Sequence, residues 1–281
     1  MNFVATVNRL IGVYLDVFRQ VTLWRVWLLL LLNFGLQFLL LVVFHNFRME
    51  VFHRPVMAFV GLLGDRLSNG FVHYPGHYLI LPHVFDWAKF CLGVFVEGLI
   101  LGGAALVMYE DHFEGSDEEK TPLRAILSSW LYLAIAWTLV NGLMLLVALK
   151  LPSLLGGWMS QSPRRILAYQ FVLLPGFYVG LLSVFYLVLP RIAIYGEGII
   201  EAFRRSLRLV VKFPISIFFM ACLVLAGPVA ASFITGQPGM IVDKFRPEMV
   251  FWVLVGGIGV EIFANFLWMG TAARFLVEIE E

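Results

Sequence analysis

The chain alternates long apolar runs with shorter polar segments, and the runs lack the two-residue alternation of barrel strands. A spanning helix needs about 20 mostly apolar residues, because the hydrocarbon core is about 30 Å thick and each residue rises about 1.5 Å. Six runs meet this length: Val26–Phe44, Phe90–Tyr109, Ile126–Leu149, Ala168–Leu189, Pro214–Ile234 and Met249–Ala273. The pattern predicts an all-α, polytopic integral membrane helix bundle with six transmembrane helices, forming a single membrane domain over residues 1–281.

Two further segments have helical spacing but an amphipathic composition, which is typical of helices that lie on a membrane surface. The first is the N-terminal stretch, residues 1–25. Its apolar positions share one face: Val4, Val7, Ile11, Tyr14, Leu15 and Phe18. The second is the basic stretch 191–213 between the fourth and fifth spans. Both are predicted to be interfacial helices whose apolar stripes contact lipid or pack against the rest of the protein, with a helix of a partner protein as the alternative.

Composition supports a lipid environment. Of the 281 residues, 60% are hydrophobic and 14% charged, with a mean hydropathy of +0.87. Soluble domains carry about 25% charged residues, so lipid must cover much of this surface. The net charge of +1 gives no field that would attract nucleic acid. No cleavable signal peptide is expected, because the first apolar run ends in "VVFHNFRME" without small residues at a cleavage site.

A basic cluster sets the predicted orientation. Arg204, Arg205, Arg208 and Lys212 lie between the fourth and fifth spans, where they are predicted to face anionic lipid headgroups. Such a cluster is hard to translocate, so we expect both termini in the cytoplasm. This topology makes residues 45–89 an external loop. It also places the acidic segment 110–125 in the cytoplasm, as a solvated linker.

The same basic segment, "EGIIEAFRRSLRLVVKFP", resembles a segment that recurs in six-helix bacterial inner-membrane proteins. The group includes the membrane domain attached to some glycerophosphodiester phosphodiesterases. The positions that carry the resemblance are Glu201, Ala202, Arg204, Arg205, Ser206 and Arg208, followed by a span. The resemblance implies an accessory, non-catalytic membrane module in the bacterial cytoplasmic membrane, and it carries over no catalytic residue.

Two carboxylates lie well inside apolar runs: Glu97 in "GVFVEGLILGG" and Glu261 in "GGIGVEIFANF". A charge at the bilayer centre is costly, so such residues face a bundle interior or a water-filled cavity. They are candidates for proton or cation handling, at similar depth on two parallel helices. The alternative is that each is a packing group, hydrogen-bonded to Asn141, Asn265 or a backbone carbonyl.

Small residues and prolines within the runs indicate how the helices pack. Gly98 and Gly102 beside Glu97, and Gly176 with Gly180, have the spacing that allows close approach of helix backbones. Pro175 and Pro228 are predicted to distort the fourth and fifth spans. The pattern thus favours packing over chemistry.

The predicted external loop is rich in histidine, notably in "FVHYPGHYLILPHVF". His73, His77 and His83 are the candidate metal ligands, but Pro75 and Gly76 interrupt the helix that would align the first two. A structured cap that docks a partner is the preferred interpretation. Cys91 and Cys222 lie in apolar runs without a ligand spacing, so no cofactor is predicted.

No catalytic motif is found along the chain, and an enzyme is not predicted. The sequence favours an accessory or scaffold subunit of a larger membrane complex, in contact with lipid and with other membrane-protein subunits. A small-solute or proton-coupled transporter that uses Glu97 and Glu261 is the alternative hypothesis.

Overall fold

The computed structural model describes residues 3–112, 123–160 and 162–280, and these form helices joined by short connections, without a strand. The helices are α1 (Phe3–Arg19), α2 (Trp24–His45), α3 (Glu50–Leu62), α4 (Asp65–Val72), α5 (Gly76–Phe95), α6 (Glu97–His112), α7 (Leu123–Ser128), α8 (Trp130–Met159), α9 (Pro163–Ala168), α10 (Leu174–Phe185), α11 (Val188–Tyr195), α12 (Ile199–Lys212), α13 (Pro214–Thr235), α14 (Pro238–Lys244) and α15 (Met249–Glu280). A π turn at Tyr169–Leu173 joins α9 to α10.

Six helical stretches among the described residues are long and apolar enough to cross a membrane. They are Trp24–His45, Gly76–Phe95, Trp130–Met159, Pro163–Tyr195, Pro214–Thr235 and Met249–Ile279. The prediction of an all-α chain with six such helices is confirmed. The two helices predicted to be interfacial also form, as α1 and α12, and their place on a membrane surface stays a prediction.

The second span differs from its predicted position. Its helix, α5, begins at Gly76, so part of the predicted loop 45–89 is helical, and the apolar run from Phe90 to Tyr109 covers the end of α5 and most of α6. The two helices meet at a turn at Val96. The rest of the predicted loop contains α3 and α4 rather than irregular chain. Most of the acidic segment 110–125 lies outside the described residues.

The chain divides into two compact units. Unit 1 comprises Met1–Leu30, Gly93–Ala226 and Asn265–Glu281. Unit 2 comprises Leu31–Leu92 and Gly227–Ala264. The two units contain different sets of polar contacts.

In unit 1, α6 packs closely on α8 and α11 because glycines line its contact face. A Cβ atom added at Gly98 would lie 2.7 Å from the backbone oxygen of Leu133. At Gly102 it would lie 2.9 Å from the Leu133 side chain and 3.3 Å from Ala193. The predicted packing role of these two glycines therefore agrees with the structure. By contrast, a Cβ at Gly176 or Gly180 would meet no described atom within 4 Å.

Helix α1 packs on the rest of unit 1 through one face and exposes the opposite one. Val13 and Val17 are buried, whereas Ile11, Leu15 and Phe18 are about half exposed, at 50–57%. The hydroxyl of Tyr14 donates to the backbone oxygen of Met220 (3.4 Å), and burial raises the pKa of this hydroxyl above its usual range. Of the apolar stripe read from the sequence, Ile11, Leu15 and Phe18 thus face outward, whereas Tyr14 contacts the rest of unit 1.

Unit 2 contains an aromatic cluster around two histidines. The ring of His77 lies 3.8 Å from that of Tyr78 between centroids, and the ring of His45 lies 4.6 Å from that of Phe251. Phe71 is fully buried beside His77. The cluster joins α2, α4, α5 and α15 by ring contacts, so the histidines here act as packing groups.

Candidate functional site

The C-terminal part of α15 carries a row of polar side chains at three- and four-residue spacing, which bind three other parts of unit 1: α6, the fourth span and α1. We call Asn265, Trp268, Thr271, Arg274 and Glu278 the polar row. Half of the most apolar stretch of α15 is buried, against 22–39% for the other candidate spans. Because i and i+3 positions drift around a helix, the row winds along α15 and contacts neighbours on several sides.

The first member of the row binds the buried carboxylate of unit 1. Asn265 Nδ2 donates to Glu97 Oε1 (3.2 Å), and both residues are buried. Glu97 begins α6 directly after the turn at Val96. At that turn, the Trp130 indole donates to the backbone oxygen of Phe95 (2.8 Å). Asn265 is thus one of the partners predicted for Glu97. The other predicted side chain, Asn141, donates to the backbone oxygen of Trp137 on its own helix (3.1 Å).

The second and third members of the row bind a break in the fourth span. Pro190 has no N–H, so it cannot pair with the carbonyl of Tyr186 four residues earlier, and the helix is interrupted at Tyr186 and Leu187. The Trp268 indole donates to this carbonyl (2.9 Å). The fully buried Tyr186 hydroxyl lies 2.5 Å from the Thr271 hydroxyl. Two side chains one turn apart on α15 therefore satisfy the polar groups of the break.

Replacing Trp268 with phenylalanine is expected to lower the free energy of unfolding by about 1 kcal/mol, because the Tyr186 carbonyl loses its donor. The measurement is SDS-induced unfolding in mixed micelles. In a Pro190→Ala background, residue 190 regains an N–H for this carbonyl. Trp268→Phe should then lower the free energy of unfolding by less. Equal costs in both backgrounds would show that the indole acts by packing alone.

The last two members of the row bind α1. Arg274 Nε donates to Asp16 Oδ2 (2.9 Å), and Arg9 Nε donates to Glu278 Oε1 (3.0 Å). A guanidinium nitrogen of Arg274 also contacts the His112 ring at the end of α6 (2.8 Å). Two polar residues of α1, Arg9 and Asp16, thus pair with α15.

The second intramembrane carboxylate, Glu261, has a cationic partner in unit 2. Lys89 Nζ lies 2.7 Å from Glu261 Oε2, and about a quarter of each side chain is exposed. Lys89 lies about as far from the start of α5 as Glu261 lies from the start of α15. Glu261 is therefore part of an ion pair, a partner that the sequence reading missed because it placed Lys89 outside the second span.

A third charged cluster clamps the corner between α11 and α12. Gly196 takes a left-handed conformation (φ +63°), so the chain turns directly after α11. Glu197 accepts from Arg191 through both carboxylate oxygens (3.1 and 2.6 Å) and from Arg205 (2.7 Å). Arg191 and Glu197 are both buried. Sequence reasoning missed this pair, although a glycine between an arginine and a glutamate at a span end was a signal.

The four basic residues predicted to face headgroups differ in the structure. Arg205 is bound internally, by Glu197 and by Glu201 (2.5 Å). Arg204, Arg208 and Lys212 are exposed on α12. All four cations are therefore on the surface, and Arg205 differs from the other three in its ion pairs with Glu197 and Glu201.

The histidines proposed as weak metal candidates are not brought together. His77 is buried in the aromatic cluster, whereas His73 and His83 are exposed. Within residues 3–112, 123–160 and 162–280, no group of three or more His, Cys, Asp or Glu side chains has an arrangement that could hold a metal ion. Of the three candidates, His77 is therefore a packing group of the aromatic cluster.

These polar clusters have two chemical capacities. Hydrogen bonds and ion pairs between spans hold helices together, and carboxylates inside a membrane can also exchange protons.

Comparisons with protein-family models, curated proteins and solved structures found no match to this chain.

Proposed function

We propose that the chain is a non-catalytic, multi-pass membrane protein that serves as an accessory or scaffold subunit of a larger membrane complex. The observation that carries the proposal is the pairing of the intramembrane carboxylates. Glu97 accepts from Asn265, and Glu261 pairs with Lys89, so each one joins two helices. Polar groups used in this way stabilise a framework.

The environment is part of the same proposal. The exposed apolar faces of α1 and α12 suit a membrane surface, and the basic cluster of α12 suits a cytoplasmic leaflet. We therefore propose a bacterial cytoplasmic membrane with both termini inside. The resemblance of the α12 segment to accessory membrane modules agrees with this role.

Native mass spectrometry tests the scaffold role directly. The protein is extracted from its own membrane in mild detergent, and the mass of the intact particle is measured. We expect a defined mass above 31.9 kDa that contains a second polypeptide. A particle made only of this chain would contradict the proposal.

A proton-coupled or small-solute transporter is the second candidate, because one carboxylate lies at a discontinuous helix. Glu97 directly follows the turn at Val96, and the fourth span is interrupted at Tyr186 and Leu187. Interrupted helices in transporters often line substrate or ion sites. The two candidates use the same residues in different ways, so mutation separates them.

Replacing Glu97 or Glu261 with glutamine keeps the side-chain shape and removes the titratable group. For a scaffold, we expect both variants to keep their partner in the particle and to leave cellular function intact. Glu261→Gln also removes the carboxylate that pairs with Lys89, so this variant should have a lower free energy of unfolding. For a transporter, either change should abolish flux in proteoliposomes, because glutamine cannot carry a proton. Asn141→Asp, which adds a carboxyl elsewhere in a span, is the control for altered charge alone.

A further inference from the structure

Helix α12 has three different faces. Ala202 and Ser206 are fully buried, and their small side chains allow the helix to lie close against unit 1. On the second face, Ile200 is 85% exposed and Val211 is 74% exposed. The third face carries charged residues. A helix in water would not expose this apolar face, so the surface fits a boundary between lipid and water.

The charged face keeps an excess of positive charge. Arg204, Arg208 and Lys212 follow each other at four-residue intervals, so their Cβ atoms lie about 5–6 Å apart in one row. Glu197 and Glu201, the carboxylates of this segment of the chain, are both bound by Arg205. Lys212 contacts only the ring of Phe213 (5.2 Å) among the interactions described. The row therefore presents cations that no described carboxylate neutralises.

Helix α1 extends this surface. The guanidinium of Arg9 lies over the same Phe213 ring that Lys212 contacts, at 5.1 Å. Helix α1 also exposes apolar residues, Leu15 and Phe18 among them, so it has the same kind of face as α12. Two helices that meet at Phe213 thus both expose apolar side chains, which favours a flat, extended occupant over a single partner helix.

We infer that the basic row of α12 binds the phosphate groups of anionic phospholipids, with the apolar face of α12 against their acyl chains. Arginine and lysine side chains bind phosphate oxygens by charge-assisted hydrogen bonds. A membrane supplies phosphate and hydrocarbon side by side, in the same arrangement as the two exposed faces. This inference rests on the membrane environment proposed above, and it does not depend on the scaffold role.

The test measures binding of a short-chain phosphatidylglycerol to the full chain in neutral detergent, by microscale thermophoresis. Each basic residue near an anionic surface contributes about a fivefold change in affinity, so Arg204→Gln with Arg208→Gln should weaken binding about thirtyfold. The matched control is Arg54→Gln with Arg66→Gln, which removes two exposed cations from α3 and α4. The control should bind like the original protein.

Two further measurements separate the sources of phosphate and the role of the apolar face. Inorganic phosphate at the same concentration should not displace the lipid, and short-chain phosphatidylcholine should bind weakly to every variant. Val211→Gln should lower affinity without removing the preference for anionic lipid. The inference is overturned if the α12 double variant binds phosphatidylglycerol like the original protein, if the control loses as much, or if inorganic phosphate competes equally.

Discussion

Replacing Glu197 with glutamine is expected to lower the free energy of unfolding by about 3 kcal/mol. The buried guanidinium of Arg191 would lose the carboxylate that binds it through two oxygens, and Arg205 would lose its buried partner. A buried charge without its counter-charge is among the most destabilising single changes in a protein. SDS-induced unfolding in mixed micelles measures the difference.

Glu201→Gln is the matched control, because Glu201 binds the same Arg205 but its side chain is 54% exposed. An exposed ion pair contributes little, so the control should cost less than about 0.5 kcal/mol. If the two variants lost the same stability, the Arg191–Glu197 pair would not be the clamp that joins α11 to α12.

Gly98→Ala is expected to have the second-largest effect, a loss of about 1–3 kcal/mol. The added methyl would lie 2.7 Å from the backbone oxygen of Leu133 and 3.1 Å from the Trp137 Cβ. Neither atom is the free end of a flexible side chain, so α6 and α8 must move apart. Thermal unfolding in detergent, followed by tryptophan fluorescence, measures the loss.

Gly180→Ala makes the same substitution where a methyl meets no described atom within 4 Å. Glycine is a poor helix former, so this control should be neutral or up to about 1 kcal/mol more stable. If Gly98→Ala lowers stability and Gly180→Ala does not, the close helix contact lies at α6. A loss at Gly180 as large as that at Gly98 would indicate that alanine is disfavoured throughout these spans.

The spans could be predicted from the sequence because hydropathy over a bilayer thickness is a property of one segment alone. The fifth span, predicted over Pro214–Ile234, is observed over Pro214–Thr235. The position of the second span was predicted wrongly because α5 contains Lys89 and other polar residues that lower its hydropathy. Within this span Lys89 pairs with Glu261, a partner far away in sequence that no local pattern reveals.

The candidate site was predictable only in its residue types. A carboxylate in an apolar run predicts a buried partner, and Glu97 has one. The choice of Asn265 over Asn141 depends on which helices meet, which a single sequence does not encode in any local pattern. The break at Tyr186 and Leu187 was not predicted, because Pro190 lies directly after the predicted span Ala168–Leu189. The prediction of a distorted helix used only Pro175, which lies within that span. A π turn does precede Pro175, as its position predicts.

The polar row of α15 also has a consequence for biogenesis. Its partners, including Arg9, Glu97 and Tyr186, all belong to segments that a ribosome makes before α15. Until α15 enters the membrane, the Glu97 carboxylate and the Tyr186 carbonyl lack the donors that α15 supplies, in a solvent that offers none. A chain stopped before Asn265 would therefore lack both of these donors, and completion of unit 1 would coincide with insertion of α15.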